Sequence, residues 1–366
     1  MLGRRENLVK MELIRRIVHA ANRLPEARVR FWRKLTLKLI GIDLSKTISV
    51  LYAPNISKQI CGLERMSDSG TIATKNSHFG FQLEHHFDSR NKIQLKEALV
   101  DVSTGNVFLK SHISKSWELV VETSEWPIET RITFAKMPST RSHYKSFKGV
   151  FVSGLITSSY YHQITEDIPS LLLIHKNQKI VSRERDSSLL SFFGLTNLQI
   201  VEEDNFVLVE KLDVLTKGRD VGYLHPQSRE LLLKQVQDYM KEKAFRKVYL
   251  SRLNMRRTVP GELSIIEYLK SRNFEIVDSG SLSIQDQVKI FSEAKIVVAP
   301  HGGAITNMIF SKNARLLELM PNSRINRCFE WQSHICGHNY QVIVYDDKRG
   351  VDLNILASKI DEISRI

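Results

Sequence analysis

From about residue 149 onward the chain alternates short apolar strands with amphipathic helices, and this alternation constrains the fold more than any other feature. "GVFVSGLI" reads as a strand and "SSYYHQITEDIPSLLLIHKN" as a helix. "KIV", a short helix, "LQIVEE" and "FVLVEKLDVL" follow. Pro226 is placed to open the helix "PQSRELLLKQVQDYMKEKA", where Leu232, Val236 and Tyr239 recur on one side. The rhythm then becomes regular. Strand "KVYLSR", helix "GELSIIEYLKSR", strand "FEIVDS", helix "SIQDQVKIFSEA", strand "KIVVAP", a His-Gly-Gly turn, an apolar helix and strand "ARLLELMP" succeed one another. Strands joined through helices pair in parallel, so the expected class is α/β, with a doubly wound, Rossmann-like second half. Residues 45–140 read as irregular and β-rich, with a turn at Gly105 and Asn106.

A chain of 366 residues with 42% hydrophobic content is long enough for two packed domains. No run reaches the ~18 apolar residues of a membrane-spanning helix. Arg15 and Arg16 break the first apolar run, which argues against a secretory signal, and the odd count of three cysteines suits a reducing compartment. The expected location is therefore cytoplasmic. The net charge of +13 is uneven: residues 1–40 hold eleven cations against three acids. Met11, Ile14, Val18 and Ala21 share one helical face there, and Trp32, Leu35 and Leu39 mark a second. A basic amphipathic segment with a tryptophan suits an anionic membrane surface, which would place the protein peripherally on the inner face of the cytoplasmic membrane. A nucleic-acid arm, a protein-docking helix and plain solvated packing remain open, although no nucleic-acid-binding motif accompanies the charge.

In open α/β sheets ligands sit beyond the carboxyl ends of the strands. Ser251, Arg252, Arg256 and Arg257 follow "KVYL", Asp278 follows "FEIV", His301, Gly302 and Gly303 follow "KIVVAP", and Glu318 ends "ARLLE". Glycines let a ligand approach backbone N–H groups at a helix start, and arginines present forked donors to phosphate oxygens. A carboxylate at the rim can accept from ribose hydroxyls. The set fits a nucleotide diphosphate held without a metal, since no Asp-x-Asp triplet suggests a bridging cation. The same residues also have bland readings: a tight turn, solvated arginines, and a Glu318–Arg315 surface pair. In the first half, His162 and Glu166 stand at i and i+4 on one helical face, with Asp167 about 100° further round. A histidine beside a carboxylate can take a proton from a hydroxyl, but a surface pair explains the spacing as well. Cys328, His334, Cys336 and His338 match no familiar zinc spacing, and a helix ending at Gly337 with its cysteines inward explains them more simply.

Three motifs together resemble glycosyltransferase family 61, which includes bacterial capsular polysaccharide biosynthesis proteins. They are "YYHQITEDIPSLL", "VYLSRLNMRR" and "FSEAKIVVAPHGGAITNMIF…LLELMP", spanning about Phe151 to Tyr340. The resemblance implies a GT-B architecture, two Rossmann-like domains facing across a cleft. It implies inverting, metal-independent transfer from a nucleotide-sugar, UDP-linked as first candidate, to a glycan or lipid-linked acceptor, with no further cofactor. By position, Ser251, Arg252 and Arg256 would hold the diphosphate, His301, Gly302 and Gly303 would line the donor pocket, and Glu318 would lie near the ribose. Glu166 would be the general base with His162 beside it. Gln163 departs from the family's usual aromatic residue. The expected units are a basic helical extension at 1–44, an acceptor-side domain at 45–222, a nucleotide-sugar-binding domain at 223–350 and a C-terminal helix at 351–366. The last is expected to pack back on the first domain, with 217–226 as the best hinge candidate. A non-catalytic nucleotide- or glycan-binding partner of a polysaccharide assembly complex is the alternative reading.

Overall fold

A computed structural model of the chain describes residues 60–65, 70–73, 84–87, 91–103, 105–110, 117–121, 138, 142–154, 159–175, 177–202, 205–215, 222–255 and 257–365. The basic N-terminal segment, Arg256 and the first half of the 217–226 hinge candidate lie outside them.

The second half is a five-stranded sheet in which every neighbour is parallel. Its strands run in the order Glu275–Val277, Arg246–Leu250, Ala294–Pro300, Arg315–Pro321, Asn339–Tyr345. In chain order this is 2-1-3-4-5, a doubly wound arrangement whose direction reverses between the first and third strands. Side chains alternate across it as a strand's period of two requires. Val248 and Leu250 enter one buried cluster, and Tyr249 enters the other, beside Ile265, Leu317 and Leu319. Covering both faces is what an all-parallel sheet needs, and each aliphatic side chain so buried contributes roughly 1.5–3 kcal/mol.

The first half follows the expected pattern on one side only. Four strands are mutually parallel: Lys145–Ser153, Lys179–Ser182, Leu198–Ile200 and Phe206–Leu215. Beyond Phe206–Leu215 the sheet continues with antiparallel strands Asn91–Asp101, Val107–Lys110 and Trp117–Val121, and Ile60–Arg65 also pairs antiparallel with Asn91–Asp101. The expectation of two Rossmann-like domains is thus corrected: the first sheet is mixed. Its parallel part steps outward from Lys145–Ser153 and then returns to that strand's other side with Phe206–Leu215, so it too has a reversal point.

One buried cluster joins the halves. It takes Ile164, Ile168, Leu171 and Ile174 from a helix of the first half, Leu232 and Val236 from Pro226–Val236, and Ile305, Met308 and Trp331 from the second. The C-terminal helix Leu353–Arg365 buries Leu356, Ile360 and Ile363 against the second sheet, not the first domain as expected. Arg315 donates to the Ile363 carbonyl of that helix at 2.9 Å, which leaves no Glu318–Arg315 pair.

The apolar helix expected after the His-Gly-Gly turn is a 3₁₀ helix, Gly303–Phe310. Its carbonyls are claimed from outside. Gln332 donates to the carbonyls of Ile305 and Thr306, and His338 Nε2 contacts that of Met308 at 2.8 Å. Partners supplied by neighbouring elements satisfy groups that an α-helix would satisfy internally. No helix among the described residues is long and apolar enough to cross a membrane.

Candidate active site

The loops at the reversal points of both sheets meet at one cleft of about 340 Å³. From the first half come Ser159, Tyr161, His162, Gly222 and Tyr223; from the second come Arg257, His301, Gly302, Gly303, Arg324, Asn326, Arg327, Cys328 and Phe329. Ser159 and Gly222 follow the two parallel strands between which the first sheet reverses. Arg257 and His301 follow the corresponding pair of the second. The position agrees with the general rule for ligand crevices in open α/β sheets.

The wall carrying His162 is a helix interrupted by a wider turn. Tyr160–His162 and Ile168–Ile174 are α-helical, and Gln163–Asp167 between them is a π turn. His162 Nδ1 lies 2.6 Å from Glu166 Oε1. The same carboxylate oxygen accepts from the Gly222 N–H at 3.0 Å. Glu166 is only 7% exposed and stands behind His162, outside the cleft lining. Of the two expected catalytic residues, His162 lines the cleft and Glu166 bonds it from behind.

On the other wall, His301 follows the strand Ala294–Pro300 and its N–H donates to the Leu319 carbonyl of the adjacent strand at 2.8 Å. Its Nδ1 lies 2.5 Å from Glu318 Oε1, and Tyr340 donates to Glu318 Oε2 at 2.7 Å. Glu318 has 0% exposure. Both its oxygens have protein partners, and Glu318, expected near a ribose, is not among the residues lining the cleft. Burial and the Glu318 charge push the Tyr340 hydroxyl far above its ordinary value, which keeps it a donor.

Arg252 braces this turn from behind. Its Nη1 donates to the His301 carbonyl at 2.6 Å, and its backbone N–H donates to Glu262 Oε1 at 2.6 Å. A side chain on Gly302 would meet the Arg252 guanidinium at 2.9 Å, so Gly302 serves this close approach; its φ of 167° is ordinary extended backbone. Burial, with the Arg257 charge next, lowers the Arg252 pKa from its ordinary value. The Ser251 hydroxyl donates to Glu262 at 3.2 Å, and Ser251 is not among the residues lining the cleft. Of the expected donor residues, the structure brings His301, Gly302 and Gly303 to the cleft and keeps Arg252 just behind them. Arg324, Arg327 and Asn326 escaped sequence reasoning because "NSRINR" is a loop after a strand with no regular spacing. Its position past the carboxyl end of "ARLLELMP" was the available signal.

The Cys/His segment forms the helix Cys328–Cys336, capped by Gly337 in left-handed geometry, φ 71°. Burial pushes the Cys336 thiol up to about 12. His338 sits between the Ala314 N–H and the Met308 carbonyl, at 3.2 and 2.8 Å. No cluster of three candidate metal ligands occurs among the described residues.

The fold and cleft define an α/β protein with a polar, cation-lined crevice at the carboxyl ends of two sheets. Residues 160–321 match the family model described as Glycosyltransferase 61, which supports assigning this segment to that family and reading the chain as a glycosyltransferase. No curated protein matches the sequence significantly. Among solved structures, a bacterial iron-containing dodecameric glycosyltransferase, TibC, from enterotoxigenic E. coli H10407 matches at 10% identity, covering 70% of this chain and 80% of that one. The TM-score is 0.27, too loose a superposition to carry argument.

Proposed function

We propose that the chain is an inverting, GT-B-type glycosyltransferase. It takes a sugar from a nucleotide-sugar, UDP-linked as first candidate, and transfers it to a glycan or lipid-linked acceptor in surface polysaccharide synthesis. Inversion, metal independence and the capsular setting come from the resemblance, and the basic segment 1–40 is the proposed link to the inner membrane face. The observation that carries the reading is a single one. Each half contributes a histidine, held through Nδ1 by a buried carboxylate, to one cleft lined by Arg257, Arg324 and Arg327.

In this reading His162 is the base. A carboxylate on Nδ1 fixes the tautomer with its proton there, leaving Nε2 to accept. The acceptor hydroxyl gives its proton to His162 Nε2 while its oxygen bonds the anomeric carbon. The bond from that carbon to the phosphate oxygen breaks, and its electron pair leaves with the nucleoside diphosphate. Glu166 stabilises the imidazolium so formed. The arginines and the N–H groups at Gly303 lie where the leaving charge gathers, and donors fixed in advance supply much of such a rate enhancement.

The test is a calorimetric titration of the full chain with UDP, GDP, CDP and CMP in EDTA. Saturable binding of one nucleotide, weakened roughly tenfold in Arg257→Ala, is expected. Binding of none would sink the donor-site reading.

A further inference from the structure

Glu318, with 0% exposure, does not line the cleft itself, yet both its oxygens are committed. It accepts from Tyr340 at Oε2, and at Oε1 it meets His301 Nδ1, which must therefore carry a hydrogen. That leaves Nε2 as the only variable atom of the His301 ring, and no protein partner for it occurs among the described residues. Neutral His301 would present a lone pair there, which repels a phosphate oxygen. Protonated His301 would present a donor. The groups around the ring bear on that choice. Glu318 meets the ring at Nδ1, Arg252 is bonded to the His301 carbonyl, Arg257 and Arg324 line the same cleft, and Arg327 lines it while paired with the buried Glu330 at 2.6 Å. His162 lines the same cleft from the first half. The Cys328 thiol contributes no charge, because burial and then the Glu318 charge keep it protonated.

We propose that Glu318 is a positioning residue for the donor site: it holds His301 Nδ1–H so that Nε2 takes up a proton and donates to the diphosphate as the nucleotide binds. Tyr340 fixes the carboxylate for that task. This rests on the donor-site reading above and adds what that reading leaves open, the source of a charge that appears only with ligand. The proton comes from solvent and returns to it when the nucleoside diphosphate dissociates, so no other reactant is required.

The experiment is calorimetry of the full-length protein with UDP, and GDP in parallel, in several buffers of different ionisation enthalpy just above neutral pH. The dependence of measured heat on buffer gives the protons taken up. Expected for the wild type is uptake of about half to one proton per nucleotide. Glu318→Gln and His301→Asn should reduce that uptake to near zero and weaken binding roughly tenfold, the scale of one charge-assisted hydrogen bond. Tyr340→Phe keeps the ring and guards against a folding defect in Glu318→Gln; it should give an intermediate loss. Nucleotide binding without proton uptake in the wild type, or unchanged uptake in Glu318→Gln, would overturn the inference and leave the donor site standing. Binding of neither nucleotide would overturn the donor-site reading itself, and the inference with it.

Discussion

The two histidines of the cleft are held by the same contact and assembled by opposite means. His162 finds its carboxylate four residues along its own helix, on a π turn, and a loop N–H from Gly222 shares that oxygen. His301 finds its carboxylate 17 residues away on a neighbouring parallel strand, where Ala299 pairs with Glu318. A pair within one helical turn moves as a unit with that turn, and π turns recur at functional sites. A pair spanning two buried strands is set by the sheet and can shift only if the sheet does. A base that must follow an acceptor suits the first construction, and a fixed anion contact suits the second.

The sharpest way to break this comparison is to remove one ring at a time. His162→Asn is expected to lower transfer by roughly 10²–10⁴, the usual worth of a general base, with nucleotide affinity within about twofold of wild type. Glu166→Gln should lose less, because the ring remains and only its orientation and charge support go. His301→Asn should show the reverse split, weaker nucleotide binding with a smaller effect on the chemical step. Single-turnover rates beside calorimetric affinities read both. If the two histidine variants lose affinity alike, the division of labour between the walls is wrong.

A third histidine sharpens the contrast, because it has no acid behind it. His338 is 9% exposed and bonded only to neutral backbone groups, and burial lowers its pKa from 6.5 to about 4. Above the unfolded value both states are neutral and the group has no effect. As pH falls below it, the unfolded chain binds the proton first, so stability is lost until the folded pKa is passed. The loss over that window is about 3 kcal/mol. Urea midpoints measured down the window should fall in the wild type and fall less in His338→Gln. Equal slopes would show that His338 does not control acid stability.

Legibility in the sequence followed the same division between local and non-local. The strands from Phe206–Leu215 to Arg315–Pro321 could be read because each carries its own period, whereas Asn339–Tyr345 was not picked out, and "HQITE" announced its pair by spacing alone. The His301–Glu318–Tyr340 chain could not be read, since nothing in "ARLLELMP" says which way Glu318 points until strand pairing is known. The mixed character of the first sheet was hidden for a related reason. Antiparallel strands such as Asn91–Asp101 join the parallel ones through long-range pairing, and their residues carry no mark of partner or direction. Arg252, expected at the diphosphate, bonds the His301 carbonyl from behind the turn, and Arg257, placed on the same rim with a solvated face as its bland alternative, lines the cleft.

The smallest expected effects separate what the turn needs for itself from what it needs for a ligand. An alanine at Gly302 would push the Arg252 guanidinium, 2.9 Å away, off the His301 carbonyl. A flexible side chain can yield, so stability should change by less than about 1 kcal/mol while nucleotide affinity falls up to roughly tenfold. Gly303 differs, because its nearest protein neighbour, the Tyr160 Cβ, would stand 4.0 Å from an added methyl, an ordinary contact. Its backbone does not demand glycine either, since Gly303 is not among the positive-φ glycines of the described residues. Gly303→Ala should therefore fold and melt as the wild type does. Any loss of nucleotide affinity in it, a few-fold on the scale of a small steric intrusion, then reports on the ligand alone. Unchanged affinity in Gly303→Ala beside a loss in Gly302→Ala would mean the phosphates rest on the arginines and not on the start of the 3₁₀ helix, and the donor pose would have to move toward Arg324 and Arg327.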